Sequence, residues 1–180
     1  EPTPGAMTKL PGRALAGILR GRFTPPEGHM YVSGLRGWQT SAVHDGCFQR
    51  LRYTGETCRL LDSVAVVDDG IQLDFNFHID PESTDGVKNW HAEMWDYLWS
   101  RKYGSDRFSV LHPGEEGRDE VYIADVSLID PTTIHLDVPD IRPCDQFLLE
   151  FETRDQAGEL FFEKAYLTIH AVPDKSENGK

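Results

Sequence analysis

The fold is indicated first by residues 28–55, which read GHMYVSGLRGWQTSAVHDGCFQRLRYTG. Residues 29–33 and 47–54 have the composition of short β-strands, and a polar corner lies between them. Glycines and an Asp-Gly pair in this corner favour tight turns between antiparallel strands. The corner holds Gly34, Gly37, Trp38, Asp45 and Gly46. The stretch contains no nucleophile motif, metal cage or phosphate-binding loop, so it predicts architecture rather than chemistry.

The N-terminal part of the chain is predicted to be a meander of three strands. The strands are residues 17–23, 29–33 and 47–53, and the Pro-Pro-Glu-Gly sequence at 25–28 makes the first turn. In the third strand Phe48 and Arg50 fall on one face while Gln49 and Leu51 fall on the other, because side chains alternate along a strand.

A second set of strands follows a break at residues 54–62. The clearest is 71–77, where apolar Ile71, Leu73, Phe75 and Phe77 alternate with polar residues, which predicts a strand buried on one side. Further strands are predicted at 89–100, 121–128, 133–138, 146–153 and 165–171. Asp80 is suited to cap one helical turn that begins at Pro81.

About seven short strands at this spacing are typical of a two-sheet sandwich. The predicted fold is therefore all-β, an immunoglobulin-like antiparallel sandwich at 61–172, preceded by the meander at 17–60. Residues 1–16, rich in Pro, Gly and small side chains, are predicted to be a linker without a visible signal peptide. Residues 173–180 are predicted to be a disordered tail.

The amino-acid composition restricts the classes of partner that the chain is expected to bind. The 180 residues include 30 acidic and 18 basic side chains, a formal charge of −12. This balance disfavours nucleic acid, whose binding depends on Lys and Arg neutralising phosphates, and it disfavours anionic membrane surfaces. No apolar run approaches the ~18 residues of a membrane span.

The three cysteines are Cys47, Cys58 and Cys144, and none forms a Cys-x-x-Cys pair. A covalent haem attachment site is therefore not present in this sequence. Cys47 and Cys58 flank one strand and its turn, so a disulfide between them and three reduced thiols both remain open.

Several segments resemble one known family. They are residues 19–23, 28–40 and 45–55, then 70–75, 95–97, 103–105 and 166–171. Together they are similar to the end of the β-propeller and the following β-sandwich module in the large secreted propeller and c-type cytochrome proteins of planctomycete-type bacteria. The resemblance implies a secreted or periplasmic location and neighbouring propeller or cytochrome domains. The family's redox chemistry does not transfer, because no Cys-x-x-Cys-His motif is present.

One strand carries the leading candidate site. Trp95, Tyr97 and Trp99 share a face of the predicted strand 89–100, where they can form a flat platform that stacks on sugar rings. His91 and Glu93 share that face and are candidates to bind sugar hydroxyls. The alternative is that these aromatic residues belong to the sandwich core. Trp38, Trp90 and Tyr103 are secondary candidates.

Metal sites and catalysis are not predicted. His29, Met30 and His44 lack diagnostic ligand spacing, and the acidic corner of Asp80, Glu82 and Asp85 does not fit a calcium loop. The sequence contains no Gly-x-Ser-x-Gly elbow, His-Glu-x-x-His helix or phosphate loop, so no cofactor and no enzymatic activity are predicted.

Arginines form a second cluster of interest within the predicted meander, although the whole chain is acidic. They are Arg20, Arg22, Arg36, Arg50 and Arg52. The resemblance implies that the propeller closes in this region. Arginines stacked on Trp38 or paired with Asp45 would stabilise that closure. The alternative is an anion-binding rim with guanidinium groups open to solvent.

The predicted function is that of a non-catalytic recognition module of a larger secreted redox or polysaccharide-processing protein, with a polysaccharide or oligosaccharide as ligand. The alternative is a structural domain that docks the propeller to the cytochrome of an oxidoreductase and has no ligand of its own.

Overall fold

The computed structural model describes residues 5–9, 12–38 and 42–174 of the chain. These residues divide between two compact units, Leu10–Cys58 and the combination of Glu1–Lys9 with Arg59–Lys180. The sequence placed the corresponding boundary at residue 60.

The described residues form thirteen strands, all paired in antiparallel fashion. The strands are β1 (Gly5–Met7), β2 (Gly17–Thr24), β3 (His29–Leu35), β4 (Gly46–Leu51), β5 (Leu61–Val67), β6 (Gly70–Phe75), β7 (Trp90–Tyr97), β8 (Arg107–Phe108), β9 (Asp119–Val121), β10 (Asp125–Asp130), β11 (Thr133–Asp137), β12 (Cys144–Arg154) and β13 (Leu160–Ile169). One short 3-10 helix, Pro81–Thr84, is capped by Asp80, whose Oδ1 accepts a hydrogen bond from Glu82 N at 3.1 Å. The predicted cap is confirmed.

The larger unit contains two sheets. The large sheet has the order β1-β13-β12-β7-β8, with β9 also paired to β7, and the small sheet has the order β10-β11-β6-β5. Their facing sides share one apolar core, to which β6 contributes Ile71, Leu73 and Phe75 and β12 contributes Phe147, Leu149 and Phe151. The predicted all-β antiparallel sandwich is confirmed, and so is the alternation along β6.

The smaller unit is the predicted meander, in the order β2-β3-β4. Its first turn is closed by a hydrogen bond from Gly28 N to Thr24 O at 3.0 Å, and Gly28 has a φ of 67°. A positive φ is accessible to glycine at little cost, which explains why the turn ends on this residue.

The turn between β5 and β6 shows why one glycine is required. A Cβ added at Gly70 would lie 1.9 Å from the carbonyl oxygen of Leu136 on β11. The close approach also brings Val138 N to 2.9 Å from Asp69 O. A side chain at residue 70 would therefore push β6 away from β11, and both strands contribute to the core.

The prediction of a single strand at 121–128 is wrong. Val121 ends β9 in the large sheet, and Asp125 begins β10 in the small sheet. The buried apolar residues across this change of sheet are Val121, Ile123 and Val126. They are spaced by two and then three residues, so the period of two is broken where the chain changes sheet. The crossing is held by a hydrogen bond from Ala124 N to Asp137 O at 2.8 Å.

Three strands were not predicted, namely β1, β5 and β8. Gly5–Met7 lies within the predicted linker, yet it pairs with Tyr166–Thr168 of β13 at the edge of the large sheet. β1 and β8 are too short to show a periodic pattern, and a register shift between Leu61 and Ser63 interrupts the alternation of β5. Residues 175–180 of the predicted tail lie outside the described residues.

The described part of the chain contains no helix long and apolar enough to cross a membrane.

Two of the cysteines are described as thiols. Cys47 carries a thiol whose Sγ lies 4.0 Å from Ala16 O, and the thiol of Cys144 is buried.

Candidate functional site

Strand β7 has the two-faced character that the sequence predicts. Trp90, Ala92 and Met94 belong to the sandwich core, whereas His91 is exposed on the other face. The Trp90 ring stacks on Phe151 with the centroids 4.7 Å apart and the planes 8° from parallel. Trp90 is therefore a packing residue of the core.

Trp95 lies on the outer face of β7 but is only 2% exposed. The guanidinium of Arg118 lies 4.6 Å from the centre of its ring, and that of Arg107 lies 5.3 Å away. Both arginines come from the side of β7 that pairs with β8 and β9 and not with β12. Two cations over one indole make cation–π contacts and close the ring off from water.

The predicted flat platform of Trp95, Tyr97 and Trp99 is therefore wrong as a geometry. Trp95 is covered, and the Tyr97 ring stands at 90° to it with the centroids 6.5 Å apart. β7 ends at Tyr97, so Trp99 lies in the following loop and does not share the strand face.

The polar residues predicted beside the platform are also engaged differently. Glu93 forms an ion pair with Arg118, and its side chain is 25% exposed. His91 Nε2 lies 3.8 Å from the other carboxylate oxygen of Glu93, and the imidazole is half exposed. Glu93 thus holds the arginine that covers Trp95, which is a structural role.

The loop between β7 and β8 carries the most exposed aromatic side chains near this site. Trp99 is 102% exposed and Tyr103 is 98% exposed, relative to a fully accessible side chain, and Tyr97 at the loop entrance is 43% exposed. We call residues 97–106 the aromatic loop. Trp and Tyr side chains exposed in this way offer large, rigid apolar surfaces with a polar group, which suit contact with a partner.

Hydrogen bonds hold both ends of the aromatic loop. Tyr97 N donates to Asp145 Oδ2 at 2.9 Å, and Asp145 N donates in return to Asp96 Oδ1 at 2.8 Å. Further along, Leu98 N donates to Ser105 Oγ at 3.0 Å. The loop is therefore tied to β12 at its start and closed on itself near its end.

An open depression of about 510 Å³ adjoins the aromatic loop. It is lined by Ser105, Asp106, Arg107, Glu116, Gly117 and Arg118. The lining offers hydroxyl, carboxylate and guanidinium groups, and its two arginines are those that cover Trp95. The loop that carries the exposed rings thus also contributes Ser105 and Asp106 to the polar depression.

Asp119 follows Arg118, one of the lining residues, and fixes the adjacent loop. Its carboxylate accepts hydrogen bonds from Ser109 Oγ at 2.6 Å and from the backbone N–H groups of Val110 at 2.6 Å and Leu111 at 3.0 Å. Burial by itself would raise the pKa of Asp119, but these donors outweigh burial and lower the pKa below the ordinary range of an Asp. Asp119 therefore stays ionised and holds the 109–119 loop in place.

The search for a metal site covers the described residues, 5–9, 12–38 and 42–174. In that part of the chain no group of three or more His, Cys, Asp or Glu side chains can hold a metal ion. Asp80 and Glu82 line a separate polar depression with Asp85, but the carboxylate of Asp80 is used as a helix cap.

Sequence reasoning did not find Arg107, Arg118, Ser105 or Asp119. Arg118 and Trp95 are far apart in the sequence, and their contact depends on β9 pairing with β7, so no local pattern indicates it. The sequence also does not indicate that Trp99 and Tyr103 are fully exposed, because an aromatic residue near the end of a strand gives the same local pattern whether it is buried or exposed.

The comparisons with protein-family models, curated proteins and solved structures found no match to this chain. The resemblance to propeller and cytochrome proteins therefore remains a prediction from the sequence.

Proposed function

We propose that this chain is a non-catalytic recognition module that binds carbohydrate through its aromatic loop. The observation that carries the proposal is the complete exposure of Trp99 and Tyr103 on a loop whose ends are held by hydrogen bonds. The apolar C–H face of a sugar ring stacks well on an aromatic ring, and two such rings bind more than one sugar.

The polar depression next to the loop supports the same proposal. Sugar binding needs directed hydrogen bonds beside the stacking surface, and Ser105, Asp106 and Glu116 offer donors and acceptors at that position. In this arrangement Trp95, His91 and Glu93 lie behind the binding surface. Trp95 supports the arginines that line the depression, and Glu93 orients Arg118.

The test is affinity gel electrophoresis in soluble neutral polysaccharides such as xylan, mixed-linkage glucan and galactomannan. The native protein should be retarded by at least one of them. The double variant Trp99→Ala/Tyr103→Ala should migrate as it does in a gel without polysaccharide.

Trp38→Ala is the matched control, because Trp38 is 84% exposed and lies in the other unit. It should bind like the native protein. If no polysaccharide retards the folded native protein, or if the double variant is retarded equally, the proposal fails.

A second candidate is a docking domain within a larger secreted protein. One face of the meander favours it, since Phe23 and Leu51 are 70% and 48% exposed and Met30 is paired between them in the same cross-strand row. An apolar face of this kind is a common site of contact with another domain. In this candidate the partner is a propeller or cytochrome domain, the location is secreted or periplasmic, and the aromatic loop has no sugar ligand.

A further inference from the structure

The face of the meander opposite Phe23 and Leu51 is built around arginines. Strand register places Arg22, Tyr31 and Arg50 in one cross-strand row, with Tyr31 in the middle. The neighbouring row contains Arg20, Ser33 and Phe48. Directly paired residues point to the same side of a sheet, as do residues two apart in one strand, so all six side chains share one face. We call these six residues the arginine face.

This face is open. Arg20, Arg22 and Arg50 are exposed, and Phe48 is 75% exposed. The Phe48 ring stacks on Tyr31 with the centroids 5.7 Å apart and the planes 23° from parallel. The face therefore combines three cations with a flat pair of rings.

The three arginines lack acidic partners within the described part of the chain. No described carboxylate lies within ion-pair distance of Arg20, Arg22 or Arg50, and Arg22 donates only to the carbonyl of Gly21, at 2.9 Å. Arg36, in the same unit, pairs with Asp45 at 3.9 Å. In a chain of 30 acidic residues, three neighbouring arginines without a carboxylate leave an uncompensated positive surface.

The smaller unit as a whole also carries more basic than acidic side chains. Residues 10–58 contain six arginines, no lysine and only three carboxylates, whereas the full chain has a charge of −12. The meander therefore attracts anions that the rest of the chain repels.

We propose that the arginine face binds an acidic polysaccharide whose sugar rings carry carboxylates. The guanidinium groups match carboxylates in a two-point hydrogen-bonded geometry, and the Tyr31–Phe48 pair offers a stacking surface for the sugar ring between two charges. The site lies in the unit that does not contain the aromatic loop, so this proposal is independent of the proposed function.

The small number of cations favours a carboxylated polysaccharide over a nucleic acid. Nucleic-acid binding draws its affinity from many phosphates neutralised by Lys and Arg, whereas this face offers three arginines in a chain with a charge of −12. Arg20 and Arg22 are two residues apart in a strand, which separates their Cα atoms by about 7 Å, and Arg22 and Arg50 lie two strands apart, about 10 Å. The Tyr31–Phe48 pair lies among these three cations, where a sugar ring can stack.

The experiment is affinity electrophoresis of the full chain in polygalacturonate, in its methyl-esterified form and in single-stranded DNA. Polygalacturonate should retard the native protein, and the esterified polymer, which keeps the sugar rings but removes the charge, should not. Added salt should weaken the retardation, because exposed charges are screened over about 10 Å at 0.1 M salt.

The triple variant Arg20→Gln/Arg22→Gln/Arg50→Gln should bind polygalacturonate roughly tenfold more weakly or not at all. Arg36→Gln is the matched control, since Arg36 is an exposed arginine of the same unit that is paired with Asp45. The variant with lysine at the three positions should keep part of the affinity. Far-UV circular dichroism verifies that each variant is folded.

The proposal is overturned if folded native protein is not retarded by polygalacturonate, if the triple Gln variant binds as well as native, or if single-stranded DNA binds more tightly. The Trp99→Ala/Tyr103→Ala variant should retain polygalacturonate binding. A failure at the aromatic loop is therefore distinguishable from a failure at the arginine face.

Discussion

The guanidinium of Arg118 lies 4.6 Å above the centre of the Trp95 ring while the same side chain forms an ion pair with Glu93. Two residues of β7 that are two positions apart are thus bridged by one arginine, which immediately precedes β9. This contact covers the Trp95 ring. The exposed rings of the site, Trp99 and Tyr103, lie beyond the end of the strand.

Replacing Arg118 should loosen this arrangement. Arg118→Met removes one cation–π contact and leaves Glu93 without its cation, so we expect a loss of about 1–2 kcal/mol in the free energy of unfolding. In a background of Trp38→Phe and Trp99→Phe, which removes the two exposed tryptophans, the emission of Trp90 and Trp95 should shift to longer wavelength as water reaches the Trp95 indole. Arg142→Met, which changes an exposed arginine near Asp140, is the matched control and should alter neither quantity. An unchanged emission spectrum in Arg118→Met would contradict the burial of Trp95 by this side chain.

Acid should destabilise the protein through Asp119. The pKa of this carboxyl is lower in the folded chain than in the unfolded chain, so its contribution is complete above the unfolded value of about 4. It is lost as the pH falls from there through the lower pKa of the folded state. Urea unfolding at a series of pH values should therefore show a decline below about pH 4 that is shallower in Asp119→Asn.

Asp119→Asn should also be less stable at neutral pH, by about 1–3 kcal/mol, because a charged acceptor of three hydrogen bonds becomes a neutral amide. The carboxylate of Asp140 is exposed, which makes Asp140→Asn a suitable control with little expected effect. An Asp119→Asn curve that runs parallel to the native curve at all pH values would show that Asp119 does not titrate as proposed.

Gly70→Ala should be strongly destabilising. The added Cβ would meet the carbonyl oxygen of Leu136 at 1.9 Å, and neither strand can move without disturbing the core. We expect a loss of about 1–3 kcal/mol in urea or thermal unfolding. Gly46→Ala is the control, since a Cβ there would meet Gly34 O at an ordinary 3.4 Å. Equal stability of the two variants would argue against close contact between β6 and β11 at this point.

Cys144 should be inert in the native protein. Burial is the main cause that raises the pKa of its thiol to about 12, and the carboxylate of Asp96 adds to the effect. At about pH 8 almost no thiolate is therefore present, and the side chain is 6% exposed. Mass spectrometry after iodoacetamide treatment should show labelling of the half-buried Cys47 well before Cys144. Labelling of Cys144 at an equal rate without unfolding would be inconsistent with this burial.

Much of the architecture can be predicted from local pattern alone. The alternation of Ile71, Leu73 and Phe75 predicts β6 because a strand with one buried face requires apolar residues at every second position. Pro25, Pro26 and Gly28 predict the first turn of the meander, since their backbone preferences fit a turn and not a strand. The cap at Asp80 is equally local.

Prediction fails where long-range pairing decides the outcome. The alternation of His91, Glu93 and Trp95 indicates correctly that they share one face of β7, but it does not indicate what covers that face. The covering arginines are Arg107 of β8 and Arg118 just before β9, and both strands are too short to show a period of two. The break between β9 and β10 is missed for the related reason that apolar residues continue while the chain changes sheet.

The sequence by itself determined an antiparallel all-β chain, a separate three-strand meander and an aromatic-rich strand, because these depend on the period of two and on turn residues that act over a few positions. Only the tertiary structure decided that Trp95 is buried, that Trp99 and Tyr103 face water, and that three arginines share an open face on which no described carboxylate pairs with them. Exposure and charge pairing depend on which strands lie side by side, and strand pairing joins residues that are distant in the sequence.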